Sequence, residues 1–225
     1  MKTPITRKRI RNHLAYCWWK YALVVVAAVV GWSLYYSTTR YRLPENKTIQ
    51  LCLYTYGDPI GLDAYMQRVN AEDMTDMESM SCYLGSLDEQ QGEMELTTYF
   101  LAGEGDVYLL SDEEFRRFAP GGVFRALEEE ESLLALLQNA EEDLQRGWMQ
   151  YVNTTGESYG EEHLLGIPCS ALPGMEKLVA RPGEAWLCVL VNNGNDANVM
   201  RFMEILVQDA LEGPLVEINM EEEEQ

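Results

Sequence analysis

A chain of 225 residues with a net charge of −20 and only two histidines is poorly equipped to hold nucleic acid or a zinc ion. The charge is also divided: residues 1–44 hold eight Lys/Arg and no acid, which leaves −28 on residues 45–225. The acidic part, 181 residues long, has the size of one ordinary domain and can bury a full core.

In chain order, the first element is a membrane span. Between Lys20 and Arg40 lie nineteen residues without a charge. At ~1.5 Å per residue a helix of that length crosses the roughly 30 Å hydrocarbon core. Trp18, Trp19 and Tyr21 stand at one end and Trp32, Tyr35, Tyr36 and Tyr41 at the other, as interfacial belts do. Lys2, Arg7, Lys8, Arg9, Arg11 and Lys20 precede the span, and Arg40, Arg42 and Lys47 follow it. The excess before the span predicts a cytoplasmic N-terminus and an extracytoplasmic C-terminal domain. A cleaved signal peptide would end in a small-x-small site, and Tyr35-Tyr36-Ser37-Thr38-Thr39 is a poor one. The expected division is a basic tail over 1–20, a transmembrane helix over 21–39 and a stalk over 40–47. An α/β domain over 48–215 and an acidic tail over 216–225 complete it.

Residues 48–55 (TIQLCLYT) read as a buried strand that stops at Gly57-Asp58-Pro59. Leu62, Tyr65, Met66 and Val69 then recur at helical spacing. The methionines of 74–80 read as core filler without a clear element. Residues 87–102 predict a helix with Met94, Thr98 and Leu101 on one stripe, weakened by Gly92 and stopped by Gly103. Residues 106–110 (DVYLL) predict a strand. Ser111 and Asp112 are N-cap candidates for the helix that follows, with Glu114 completing a capping box from Ser111. Leu133, Leu134 and Leu137 mark another helix. Residues 148–153 and 163–170 predict a hairpin around Thr155-Gly156. Residues 185–191 (AWLCVLV) are the clearest buried strand, and a helix through Val199, Phe202, Met203, Leu206 and Ala210 follows, ending at Gly213-Pro214. Strands alternating with helices predict an α/β fold with some parallel pairing.

Cys52, Cys82, Cys169 and Cys188 sit among apolar neighbours, as buried thiols do, although an oxidising compartment leaves one or two disulfides open. No C-x-x-C, calcium loop, nucleophile elbow or phosphate-binding glycine loop occurs. Acid pairs such as Glu113/Glu114 and Glu161/Glu162 suit a solvated surface better than a cleft with split pKa values. The expectation is a protein without catalytic residues, metal or cofactor.

Residues 105–115 (GDVYLLSDEEF), followed by 122–127 (GVFRAL), resemble the extracellular solute-binding proteins of ABC importers. Residues 165–170 (LGIPCS) are similar to a segment of those proteins, as is the strand of 187–192 with its following helix. The resemblance covers roughly residues 48–212. It implies one lobe of a periplasmic-binding-protein fold and a small polar solute as ligand, for a transporter or a sensor. Members of that family are about twice as long and close two lobes over the ligand. A chain with room for one lobe, held by a transmembrane helix, is equally suited to an interaction or accessory module that keeps the fold without the site. In open α/β sheets ligands bind beyond the carboxyl ends of the strands. Tyr56, Asp58, Asp112 and Asn193 follow such ends here and are the candidate ligand-binding residues. Asp58 and Asn193 equally suit turns, and Asp112 suits a helix cap.

Overall fold

The computed structural model describes residues 7–41, 43–191 and 194–216. The chain divides into two compact units, with the boundary between residues 42 and 43.

The first unit is one helix, α1 (Arg7–Thr39), of 33 residues. Within it Ala15–Thr39 is long and apolar enough to cross a membrane, and the most apolar stretch has no buried residue. Its exposed valines and aromatic rings would be out of place in water. Hydrocarbon and headgroups would match them. At the far end Thr38 and Thr39 donate their hydroxyls back to the carbonyls of Leu34 and Tyr35, at 2.9 and 2.7 Å. These two hydroxyls are therefore satisfied within the helix.

The second unit is a mixed α/β domain. Its elements are β1 (Thr48–Tyr54), α2 (Pro59–Glu72), β2 (Ser79–Leu84), α3 (Glu89–Ala102), β3 (Val107–Ser111) and α4 (Asp112–Phe118). Then come α5 (Glu131–Leu136), α6 (Glu141–Leu144), β4 (Trp148–Val152), β5 (Ser158–Leu164), β6 (Ile167–Pro168), β7 (Ala185–Val189) and α7 (Asp196–Glu212). The main sheet has the order β2-β1-β3-β7-β6, while β4 and β5 form a separate hairpin. β1 runs parallel to β2 and β3, and β7 runs antiparallel to both β3 and β6.

Alternation along the central strands sorts the core into two layers. Leu51, Leu53, Val107, Leu109, Leu187 and Val189 face α2, α5 and α7. Cys52, Tyr54, Tyr108, Leu110, Trp186 and Cys188 face α3 and α4. α7 contributes the stripe Val199, Phe202, Met203, Leu206, Val207 and Ala210, all buried, as its helical spacing requires.

The structure departs from expectation in three places. β2 begins where the methionine stretch ends. Its sequence, SMSCYL, is only half buried at the sheet edge and lacks the apolar run by which an inner strand is recognised. The methionines themselves are core filler, since Met74, Met77 and Met80 are buried. α3 presents the opposite face from the one its stripe suggests: Met94 and Leu101 are 64% and 85% exposed, while Gly92 and Leu96 face inward. A Cβ on Gly92 would meet the Ser86 carbonyl oxygen at 2.6 Å. The glycine is the close-approach point of that helix. Finally, the hairpin's second arm ends at Leu164, and Ile167–Pro168 leaves it to edge the main sheet.

The register also settles the cysteines, all of which are free. Cys52 and Cys188 share a face but flank Tyr108 on either side, two strand spacings or about 9–10 Å apart. A disulfide needs Cα atoms within ~7 Å. Cys82 is level with Leu51 and so faces away from Cys52, and Cys169 and Cys188 lie in opposite core layers. Burial pushes the Cys82 and Cys169 thiols up to about 12 and raises those of Cys52 and Cys188 as well. The native domain is therefore expected to run identically on reducing and non-reducing gels. Cys52, Cys169 and Cys188 should react with maleimide only after denaturation and the half-buried Cys82 before them, and a reduction-sensitive band would contradict this register.

Candidate functional site

The carboxyl ends of β1 and β3 adjoin, because Tyr54 pairs with Leu110. β1 leads into a tight passage along the segment 178–180. The Asp58 N–H donates to the Leu178 carbonyl and the Ala180 N–H to the Tyr56 carbonyl, both at 2.8 Å. Gly57 is required between them, since a Cβ there would lie 2.5 Å from the Leu178 oxygen. This backbone pairing turns the Tyr56 ring outward, 62% exposed. Asp58 is the N-cap of α2, accepting from the Ile60 N–H at 3.0 Å.

On the neighbouring strand Ser111 caps α4 by accepting from the Glu114 N–H at 3.4 Å, as the spacing predicted. Asp112, the first residue of α4, is engaged on both oxygens. Oδ1 accepts from Trp186 Nε1 at 2.9 Å and Oδ2 from Arg116 Nε at 2.7 Å. Arg146 lies 3.8 Å from Oδ1 and 5.4 Å over the Trp186 ring. The Arg116 hydrogen bond, with Trp186 adding to it, holds the Asp112 carboxyl below the usual carboxylate range against some opposing desolvation. Trp186 is fully buried and stacks on Phe115 with ring centroids 4.2 Å apart.

A depressed native pKa makes the ionised form part of the fold. That stability is present above the unfolded carboxyl value near ~4 and is lost as pH falls through the native value. Asp112→Asn keeps an acceptor for Trp186 but cannot titrate. Urea midpoints followed from pH ~5 downward should fall less steeply for the variant than for the wild type. Parallel profiles would place the acid sensitivity elsewhere.

The structure thus brings Tyr56, Asp58 and Asp112 to one end of the sheet, on adjoining loops. It does not bring the end of β7 there. That strand is antiparallel, and its last residue, Val189, pairs with Val107 at the amino end of β3. The expected convergence of a third strand end is corrected accordingly, and Asn193 itself lies outside the described residues.

Sequence reasoning missed the neutral donor Trp186 and the cation Arg146. Nothing in their local spacing links them to Asp112, which is 74 positions from Trp186. It also missed three exposed apolar side chains near the carboxyl ends of β1 and β2: Ile60, Leu84 and Leu87. Ile60 stands off the inward stripe of α2, which was the available signal.

Four clefts of 430–610 Å³ lie elsewhere: beside Tyr65, Arg68 and Asp209, between α5 and Trp148, at the amino ends of β1 and β2, and around Arg125. None of the four is lined by Tyr56, Asp58 or Asp112. The exposed Tyr56 ring can stack on a sugar or planar group. Asp58 Oδ2 can accept from a hydroxyl or amine while Oδ1 stays with Ile60.

No protein-family profile matches this chain, and no curated protein does. Among solved structures it is similar to an HMO-binding, ABC-transporter-associated solute-binding protein from Bifidobacterium longum infantis. The identity is 15% and the TM-score 0.31. The match covers 51% of this chain and 23% of that one, so this chain spans less than two thirds of that protein's length. The assignment of a mixed α/β fold rests on the five-stranded sheet itself.

Proposed function

We propose that the chain is a single-pass membrane protein displaying a non-catalytic, solute-binding-like α/β module on the extracytoplasmic side. The divisions are those read from the sequence: a cytoplasmic basic tail over 1–20, the span over 21–39, a stalk over 40–47, the domain over 48–215 and an acidic tail over 216–225. The observation that carries the reading is the apolar stretch of α1 within Ala15–Thr39, which has no buried residue and belongs to a compact unit of its own. A helix of this composition needs hydrocarbon around it, and its basic flank retains the N-terminus inside. The ligand would be a small polar solute meeting Tyr56 and Asp58, with Asp112 as a further candidate, for a transporter or sensor in the same membrane.

A second reading is favoured by the state of that edge. Asp58 and Asp112 are occupied as a helix cap and an ion pair, and Tyr56, Ile60, Leu84 and Leu87 are exposed apolar surface. Such an edge suits a protein partner better than an enclosed solute.

Protease added to intact cells should remove the domain and leave an N-terminal tag protected; the reverse pattern would overturn the topology. Thermal shifts of the solubilised chain against sugars, amino acids and peptides separate the two readings. A ligand at ~100 times its Kd stabilises by about 2.7 kcal/mol. Tyr56→Ala with Asp58→Ala should abolish that shift while the fold survives. A shift retained in the double variant would remove these residues from the site.

A further inference from the structure

The charged flank of α1 continues the helix instead of breaking from it. Ala15–Thr39 is the apolar span, yet the helix begins at Arg7, eight residues earlier. Those eight residues add ~12 Å of helix beyond the span. They contain Arg7, Lys8, Arg9 and Arg11, and Lys20 follows beside the aromatic belt. Arg7 and Arg11 are both exposed and stand one turn apart, at i and i+4.

Like charges at that spacing repel, and the usual remedy is an acidic side chain three or four positions away. No acid occurs anywhere in residues 1–44. The helix therefore carries cations along its first turns that its own sequence cannot neutralise. The position of these cations is fixed by the belt. Trp18 and Trp19 are exposed rings of the kind that settle at headgroup depth, and Lys20 lies 5.8 Å over Trp19. Arg11 is two helical turns beyond them, within reach of the polar headgroup layer.

We infer that residues 7–20 form a helical binding surface for anionic phospholipid headgroups, which supply the missing counter-charge. The inference rests on the membrane-anchored reading and extends it: the anchor selects its lipid neighbours as well as crossing the bilayer. Phosphate and glycerol-phosphate groups are the matching chemistry, with guanidinium forks and ammonium groups as donors.

The test uses the full chain in phosphatidylcholine bilayers carrying trace spin-labelled phosphatidylglycerol or phosphatidylcholine. The fraction of motionally restricted label measures which lipid the protein holds. The anionic phosphatidylglycerol is expected to be preferred by about twofold or more at low salt. The preference should approach parity in roughly 0.5 M salt, where screening shortens the reach of charge. Arg7→Gln, Lys8→Gln, Arg9→Gln and Arg11→Gln combined should abolish it, and lysine at the three arginine positions should retain it. Equal restriction of the two lipids by the wild type, or a preference untouched by the glutamine variant, overturns the inference while leaving the anchor intact. Recovery of the chain in the supernatant after alkaline carbonate overturns the anchor itself, before any label is added.

Discussion

Replacing Trp186 by alanine is expected to lower the unfolding free energy of the domain by about 3–5 kcal/mol, the usual cost of deleting a fully buried aromatic side chain. Trp186 lies in β7 with no exposed surface, face to face with Phe115 of α4. It also gives Asp112 its neutral hydrogen bond and lies under the Arg146 guanidinium. Alanine leaves a cavity between the sheet and α4 and removes a donor from a carboxylate that the fold holds ionised. Trp186→Phe separates these effects. It keeps most of the apolar volume and loses the indole N–H, so about 1–2 kcal/mol should be lost. For a domain of this size each kcal/mol corresponds to roughly 2–4 °C in Tm. Alanine and phenylalanine variants of equal stability would show that the packing on Phe115 contributes little.

Gly174→Ala is expected to cost about 1–3 kcal/mol, the usual penalty for forcing extra volume into a tight contact. The short turn Pro173–Met175 packs directly on the end of α7. A Cβ at Gly174 would lie 2.1 Å from the Gly213 carbonyl oxygen and 2.8 Å from the Ala210 Cα. Both obstacles are backbone, so no side-chain rotation relieves the overlap. Either the turn or the last turn of α7 must move, and the Leu215 N–H, which reaches the Gly174 carbonyl at 3.4 Å, would be displaced with it. Gly183→Ala is the control, since nothing stands within 4 Å of a Cβ there. Urea unfolding of both variants in the solubilised chain gives the comparison. Equal midpoints would mean that the contact on α7 is softer than its geometry indicates.

Much of the fold was legible because its signals are local. The cap at Ser111 was visible as a short polar residue set before helical spacing, and the left-handed glycine Gly103 as a helix stop, whereas Asp58, read as a turn residue, also caps α2. β1, β3 and β7 announced themselves as apolar runs because both faces of each are covered. β2 did not, because an edge strand that is half exposed needs no such run. α3 was assigned the wrong face because its inward side starts with Gly92, which carries no apolar side chain, and continues with Leu96 and the half-buried Tyr99 and Phe100, while the apolar Met94 and Leu101 are left exposed. Three of the four candidate site residues fall on described parts of the chain, at one end of the sheet. Whether Asp112 is available to a ligand was not legible, because its partners Trp186 and Arg146 arrive from distant segments.

By itself the sequence determined the apolar helix, the division of charge around it and the alternation of strands with helices. Each of these follows from side chains close together along the chain, through helical or strand periodicity and transfer free energy. The tertiary structure decided the direction of β7, the isolation of the four thiols and the engagement of Asp112. A strand's own alternation is the same whichever way it runs, so pairing direction leaves no mark in it. Only the register of β7 against β3 placed its end at the far edge of the sheet.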